Sequence, residues 1–219
     1  VAVFMEEKAY LQLIKYYESE EMLDCALEVI DHALTHYSFS AEFLLKKAAL
    51  LLNSHREEAA LEWLDKAEIL APQQQDIQLL RAEIYIYQEE QEQAQSILNG
   101  LKSLADNRTM SDILYVEALL YESRESYESM FYSLKASLLE NPSHENALDR
   151  IWLCVELSKR YHESVVIHEA ILEEDPYSYR AWYNLGHAQA YLGNYEEAIE
   201  AYEYAFIIND KYEFAYRDC

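Results

Sequence analysis

Three glycines and three prolines in 219 residues leave little of the punctuation that many strands and tight turns require, which excludes most β-rich architectures. Positive charge is scarce as well. Seventeen Lys and Arg stand against 41 Asp and Glu, for a net charge of −24, and no local Lys/Arg cluster interrupts the negative field. Such a surface repels phosphate backbones and anionic headgroups, so nucleic acid and membrane surfaces are excluded as expected partners. The three cysteines, Cys25, Cys154 and Cys219, are scattered, with neither metal-ligand spacing nor a disulfide framework, and read as the reduced thiols of a cytoplasmic protein. No apolar run approaches the roughly 18 residues of a membrane span, so no membrane insertion is expected. The opening VAVFMEEKAY has no basic segment followed by an apolar one. Its first Val, with Met5 behind it, reads as a trimmed start that leaves room for a signal upstream.

What is present is apolar and helix-forming. A 51% hydrophobic content is enough to bury a core, and Ala, Leu, Glu, Tyr and Gln dominate, so the expected fold class is all-α. A fixed period organises these residues. Pro142 and Pro176 lie 34 apart and close the similar phrases LLENP and LEEDP, while Pro72, after AEILA, lies 70 before Pro142. Ala26, Ala60 and Ala94 are spaced by 34, as are Ala48 and Ala82, and Trp152 and Gly186 continue a series from Ala118. The surplus of two residues falls between Ala82 and Ala118, and the stretch LADNRTM is its expected place.

These spacings predict units at 7–40, 41–74, 75–110, 111–144, 145–178 and 179–212, with the start of a seventh at 213–219. In each, two amphipathic helical stretches flank a short polar break such as NSHRE, ESRES or LGNYE. Each unit is therefore read as a helical hairpin. Small residues at fixed places let two antiparallel helices approach, so Gly186 is expected to face Ala198 as Ala48 faces Ala60. Ile14 and Met130 occupy such small positions in the first and fourth units, and Trp152 opposite Ser164 in the fifth reads as a large-for-small exchange. The stretch ends at EFAYRDC, with Phe214 and Tyr216 on half a hairpin, so the natural protein is expected to continue.

Trp182, Leu185, Gly186, Ala198, Tyr202 and Ala205 resemble the tetratricopeptide repeat (TPR) signature, W-x₂-L-G followed by A-x₃-F. The resemblance is closest in the sixth unit and extends by register over nearly the whole chain. It implies an α-solenoid, a right-handed superhelix of stacked antiparallel hairpins forming a single array over 1–219, with the first helices lining the concave side.

No enzyme motif accompanies the repeat. Gly100, Gly186 and Gly193 cannot build a phosphate-cradling loop, no G-x-S-x-G elbow occurs, and HEAIL after Ile167 lacks the second histidine of a zinc-protease helix. His32 and His36 in DHALTH stand one helical turn apart but have no third predicted ligand, and the helix C-terminus accounts for them. The chain is accordingly expected to be no enzyme, with no catalytic residue, metal or cofactor.

The groove positions implied by the TPR register are Leu11, Lys15, Leu45, Ala49, Leu52, Leu79, Glu83, Ile86, Tyr115, Leu119, Asp149, Leu153, Arg180, Tyr183 and His187. With Glu18, Glu42, Asp76, Asp112, Glu122 and Glu156 at further groove positions, they form an apolar floor edged with acid, suited to a peptide or protein segment with apolar anchors and Lys/Arg flanks. Of the tyrosines, Tyr115, Tyr183 and Tyr191 are the candidates for ligand contact. The Lys/Asn/Arg clamp by which TPR co-chaperones hold acidic tails is missing. So is the asparagine ladder of O-linked sugar transferases, since Gln12, Lys46, Leu80, Val116, Arg150 and Asn184 occupy those positions.

The expected function is a non-catalytic protein-interaction scaffold. Two other readings stand beside it: the regulatory or targeting arm of a larger enzyme whose catalytic part lies outside this stretch, and a module that self-associates through its array ends.

Overall fold

The computed structural model describes residues 5–104 and 107–212. The beginning of a seventh unit at 213–219, with Phe214, Tyr216 and Cys219, lies outside the described residues, as do residues 105–106 of LADNRTM. Among the described residues there are twelve α-helices and no strand. They are α1 (Glu7–Ser19), α2 (Leu23–His36), α3 (Ala41–Asn53), α4 (Glu57–Leu70), α5 (Gln75–Tyr87), α6 (Gln91–Lys102), α7 (Asn107–Ser123), α8 (Tyr127–Glu140), α9 (Glu145–Ser158), α10 (Tyr161–Glu174), α11 (Tyr179–Leu192) and α12 (Tyr195–Ile208). The chain divides into two compact units, Val1–Leu101 and Lys102–Cys219.

Within the first unit, α1 packs on α2, α2 on α3, α3 on α4 and α4 on α5. Its core has two centres. Tyr10, Ile14, Ala26, Ile30, Ala33, Phe43 and Leu50 form one, in which the large Ile14 is fully buried. Leu44, Ala48, Leu51, Leu52, Ala60, Leu64, Ala67, Ile77 and Ile84 form the other. Within the second unit, α7 packs on α8, α8 on α9, α10 on α11 and α11 on α12. Phe131, Leu134, Ile151, Cys154, Val155 and Ile171 lie at the centre of its core, with Met130 fully buried beside them. Burial pushes the Cys154 thiol up to about 12, so it stays protonated and unreactive at neutral pH.

The hairpin turns share one backbone device. Glu21, His55, Glu89, Glu125, Lys159 and Gly193 all have left-handed φ angles, between 53° and 84°. In each turn the next N–H reaches back to a carbonyl of the first helix: Met22 to Tyr17, Arg56 to Leu51, Glu90 to Tyr85, Ser126 to Tyr121, Arg160 to Val155 and Asn194 to Gln189, at 2.8–3.1 Å. This closes the orphan carbonyls of the helix end. Only the sixth turn uses glycine; the other five place a side chain where L-residues are strained. Gly193→Ala, which meets no neighbouring atom, is therefore expected to cost about 1 kcal/mol, and His55→Gly to stabilise by about as much, both read from urea midpoints.

The two-residue surplus coincides with a change of helix length. α6 has 12 residues where α2, α4, α8, α10 and α12 have 14, and α7 has 17 where α1, α3 and α5 have 13.

Candidate functional site

In the first unit the candidate residues lie on α1, α3 and α5. Lys15 is exposed; Leu11, Leu45, Ala49, Leu79 and Glu83 are half-buried; Leu52 and Ile86 are buried. Leu45 packs against the α3–α4 core, and Leu52 belongs to it. Glu18, at the end of α1, receives Lys46 of α3 at 2.7 Å. The acidic edge of this surface thus carries its own cation from the following hairpin.

The second unit repeats the arrangement. Glu122 of α7 takes both ends of the Arg150 guanidinium, at 2.8 and 3.2 Å, and Asp112 faces His144 at 3.2 Å. Asp149 of α9 takes Arg180 Nε at 2.6 Å, and Glu145 meets the same guanidinium at 3.1 Å. Burial opposes the charge on Arg180, but the hydrogen bond and attraction of Asp149 outweigh it and raise its pKa. Asp149 and Arg180, both candidate residues, are therefore brought together as a pair linking α9 to α11.

Beside that pair is an aromatic wall that the periodic pattern did not reveal. His187 stacks on Trp152, with centroids 4.6 Å apart, and meets Tyr183 edge-on at 4.4 Å. Tyr191 stacks on Tyr161 at 4.9 Å and donates its hydroxyl to Glu156 at 2.9 Å. That hydrogen bond, then burial, then the charge on Glu156 raise the phenol above its ordinary range. Trp152, expected to fill a helix crossing opposite Ser164, instead lays its half-buried ring across α11. Ser164 is fully buried and spends its polar groups on His168. Tyr115 is half-buried over His144, and Leu119 is buried. Leu153, 38% exposed, and Tyr191, 52% exposed, present apolar surface to solvent here.

One expectation about a local role changes. Gly186 makes room for a ring, since a Cβ there would stand 2.6 Å from Tyr202 Cδ1 and Cε1. Asn184, at the position of the ladder asparagine, is buried and donates to the Leu148 carbonyl at 2.8 Å, so it serves packing of α11 on α9. His32 accepts from or donates to the Tyr10 hydroxyl at 2.7 Å, and its ring lies 5.1 Å from His36, which gives the pair a structural role.

The sequence matches the family model ChAPs (Chs5p-Arf1p-binding proteins) over residues 8–128 and the family model Tetratricopeptide repeat over residues 179–216. No curated protein matches it. Among solved structures it is similar to YrrB, described as a TPR protein with an unusual peptide-binding site, at 22% identity and a TM-score of 0.51, over 87% of this chain and 97% of that one. A tetratricopeptide repeat protein from Parabacteroides merdae ATCC 43184 matches at 16% identity and a TM-score of 0.61, over 95% of this chain and 81% of that one. A chain of the APC/C hetero-tetramer Cut9-Hcn1 matches at 11% identity and a TM-score of 0.60, over 95% of this chain and 41% of that one. At these identities the likeness shows the fold, that of TPR helical-hairpin proteins.

Proposed function

Because the chain belongs to the ChAPs family, the Chs5p-Arf1p-binding proteins, we propose that it is a non-catalytic scaffold whose partners are proteins corresponding to Chs5p and Arf1p. The first helices supply the contact surface, and the reading of residues 1–219 as one array belongs to this proposal. The observation that carries the site assignment is the contrast between polar and apolar groups on α9 and α11. Asp149 is already matched by Arg180 and Glu156 by Tyr191, whereas Leu153 and Tyr191 keep apolar surface in water. Apolar anchoring therefore holds the partner, and the net charge of −24 steers a basic partner segment toward it.

The two contributions separate kinetically. Steering acts on association and fades with salt, whereas desolvated anchors set dissociation. Leu153→Asp and Tyr191→Asp are each expected to weaken binding at least about tenfold through faster dissociation, a loss of about 1.4 kcal/mol, with the melting temperature nearly unchanged in Leu153→Asp and lowered in Tyr191→Asp, which gives up the ring contacts with Tyr161 and Trp152. Biolayer interferometry against the Chs5p and Arf1p counterparts measures both rates. Unchanged dissociation in both variants would remove α9 and α11 from the site.

A further inference from the structure

The first unit has a second surface, built mainly from the second helices α2 and α4, that the reading above does not use. Leu34 of α2, Phe39 of the following turn, Leu44 of α3 and Trp63, Ile69 and Leu70 of α4 line an open cleft of about 350 Å³. Phe39 is 84% exposed and Ile69 80%. Single exposed apolar side chains are ordinary, but a contiguous set around a tryptophan marks a contact surface. The volume is at the small end for a ligand pocket, which suits an anchoring side chain better than a cofactor.

The charge at this cleft is opposite in sign to that of the chain. Its charged lining residue is Lys66, whose ammonium lies 3.7 Å from the Trp63 ring centroid, and Lys47 places a second ammonium 3.6 Å from the same ring. Lys47 is buried and paired with Asp31. Lys66 has no carboxylate within ion-pair distance among the described residues. Glu62, one turn earlier on α4, does not reach it, and Asp65 and Glu68 are both held by Arg81 at 2.8 Å. An indole bearing two cations favours neither a third cation nor a purely apolar cover that would strip water from Lys66.

We propose that this cleft docks a partner-protein segment that sets one large aliphatic or aromatic side chain against Trp63 and a neighbouring carboxylate on Lys66. The carboxylate neutralises the ammonium while leaving it over the ring, and the apolar anchor covers Ile69 and Phe39. Its acidic, apolar chemistry distinguishes this occupant from the basic segment proposed for the first helices, and the two sites stand or fall separately.

A random dodecapeptide library displayed on phage and panned on the whole chain, with counter-selection on Ile69→Asp, tests this. Enriched peptides are expected to carry a large apolar residue within a few positions of Asp or Glu. As synthetic peptides they should lose at least about tenfold in affinity on Lys66→Glu and none on Leu153→Asp. All three substituted side chains are solvent-exposed, and circular dichroism melts that match the wild type confirm that folding is intact. Enrichment of Lys- or Arg-bearing peptides, equal binding to Lys66→Glu, or no peptide that distinguishes the wild type from Ile69→Asp would overturn the proposal.

Discussion

Lowering the pH from 7.5 to 5 is expected to remove about 2 kcal/mol more stability from the wild-type protein than from a His168→Leu variant. His168, in α10, is completely buried. Its Nδ1 lies 2.7 Å from the Ser164 carbonyl oxygen, which can only accept, so Nδ1 carries the proton of a neutral ring; Nε2 has no hydrogen-bond partner among the described residues. Burial lowers the pKa to about 4, against a smaller opposing effect of the Ser164 backbone hydrogen bond. An unfolded histidine titrates near 6.5. Between these values the unfolded chain binds a proton that the native chain refuses, so native stability is full above about 6.5 and falls as pH decreases toward 4. The complete loss is about 3 kcal/mol, and about two-thirds of it has occurred by pH 5, still above the sequence pI of about 4.5. Leucine keeps the apolar volume and removes the titrating group. Urea unfolding of both proteins at the two pH values isolates the difference, and equal losses would show that His168 is not the group responsible.

Gly186→Ala is expected to destabilise the protein by about 2 kcal/mol, although alanine is the better helix former by about 1 kcal/mol. The added methyl would sit 2.6 Å from two ring carbons of Tyr202 and 3.1 Å from a third. Tyr202 is buried, its hydroxyl is 3.2 Å from His187 Nδ1, and its ring contacts those of Tyr183 and His187, so it cannot swing aside cheaply. Overpacking of this kind costs about 1–3 kcal/mol beyond the helix-propensity gain, and a 200-residue protein loses roughly 2–4 °C of melting temperature per kcal/mol. The background decides the sign. In Tyr202→Ala, which keeps none of these three ring carbons, the obstruction is gone, and Gly186→Ala should become neutral or stabilising. If the substitution is equally harmful in both backgrounds, the ring is not what requires glycine.

Helical hairpins were legible in the sequence because close helix crossings demand small side chains. Ala26, Ala48, Ala60, Ala82, Ala94 and Ala118, which set the register, are all fully buried. The left-handed turns were legible only at Gly193. At Glu21, His55, Glu89, Glu125 and Lys159 the chain adopts the same backbone with residues that carry no such signal. A period also cannot separate a groove floor from a core. Leu52, Ile86 and Leu119 satisfy the groove register yet are buried, whereas Leu153 at the same kind of position is exposed.

The electrostatics of the candidate surface were less legible still. Acid was countable, but its neutralisation depends on which side chains of neighbouring hairpins meet. Glu18 with Lys46, Glu122 with Arg150 and Asp149 with Arg180 are separated by about 30 residues and come together only through helix packing. The aromatic wall has the same origin. Trp152, Tyr161, His187 and Tyr191 sit on three helices, and only His187 and Tyr191, one helical turn apart on α11, are related by a helical spacing. An indole at a position where the repeat expects a small residue was the one available sign, and it is equally a sign of altered packing.

The most direct measurement of the central claim is amide hydrogen exchange on the chain, free and saturated with its Arf1p counterpart. The scaffold reading predicts a saturable complex with added protection on α9 and α11, Glu145–Ser158 and Tyr179–Leu192, around Leu153 and Tyr191. No saturable binding, or a complex that leaves exchange on α9 and α11 unchanged, would contradict it.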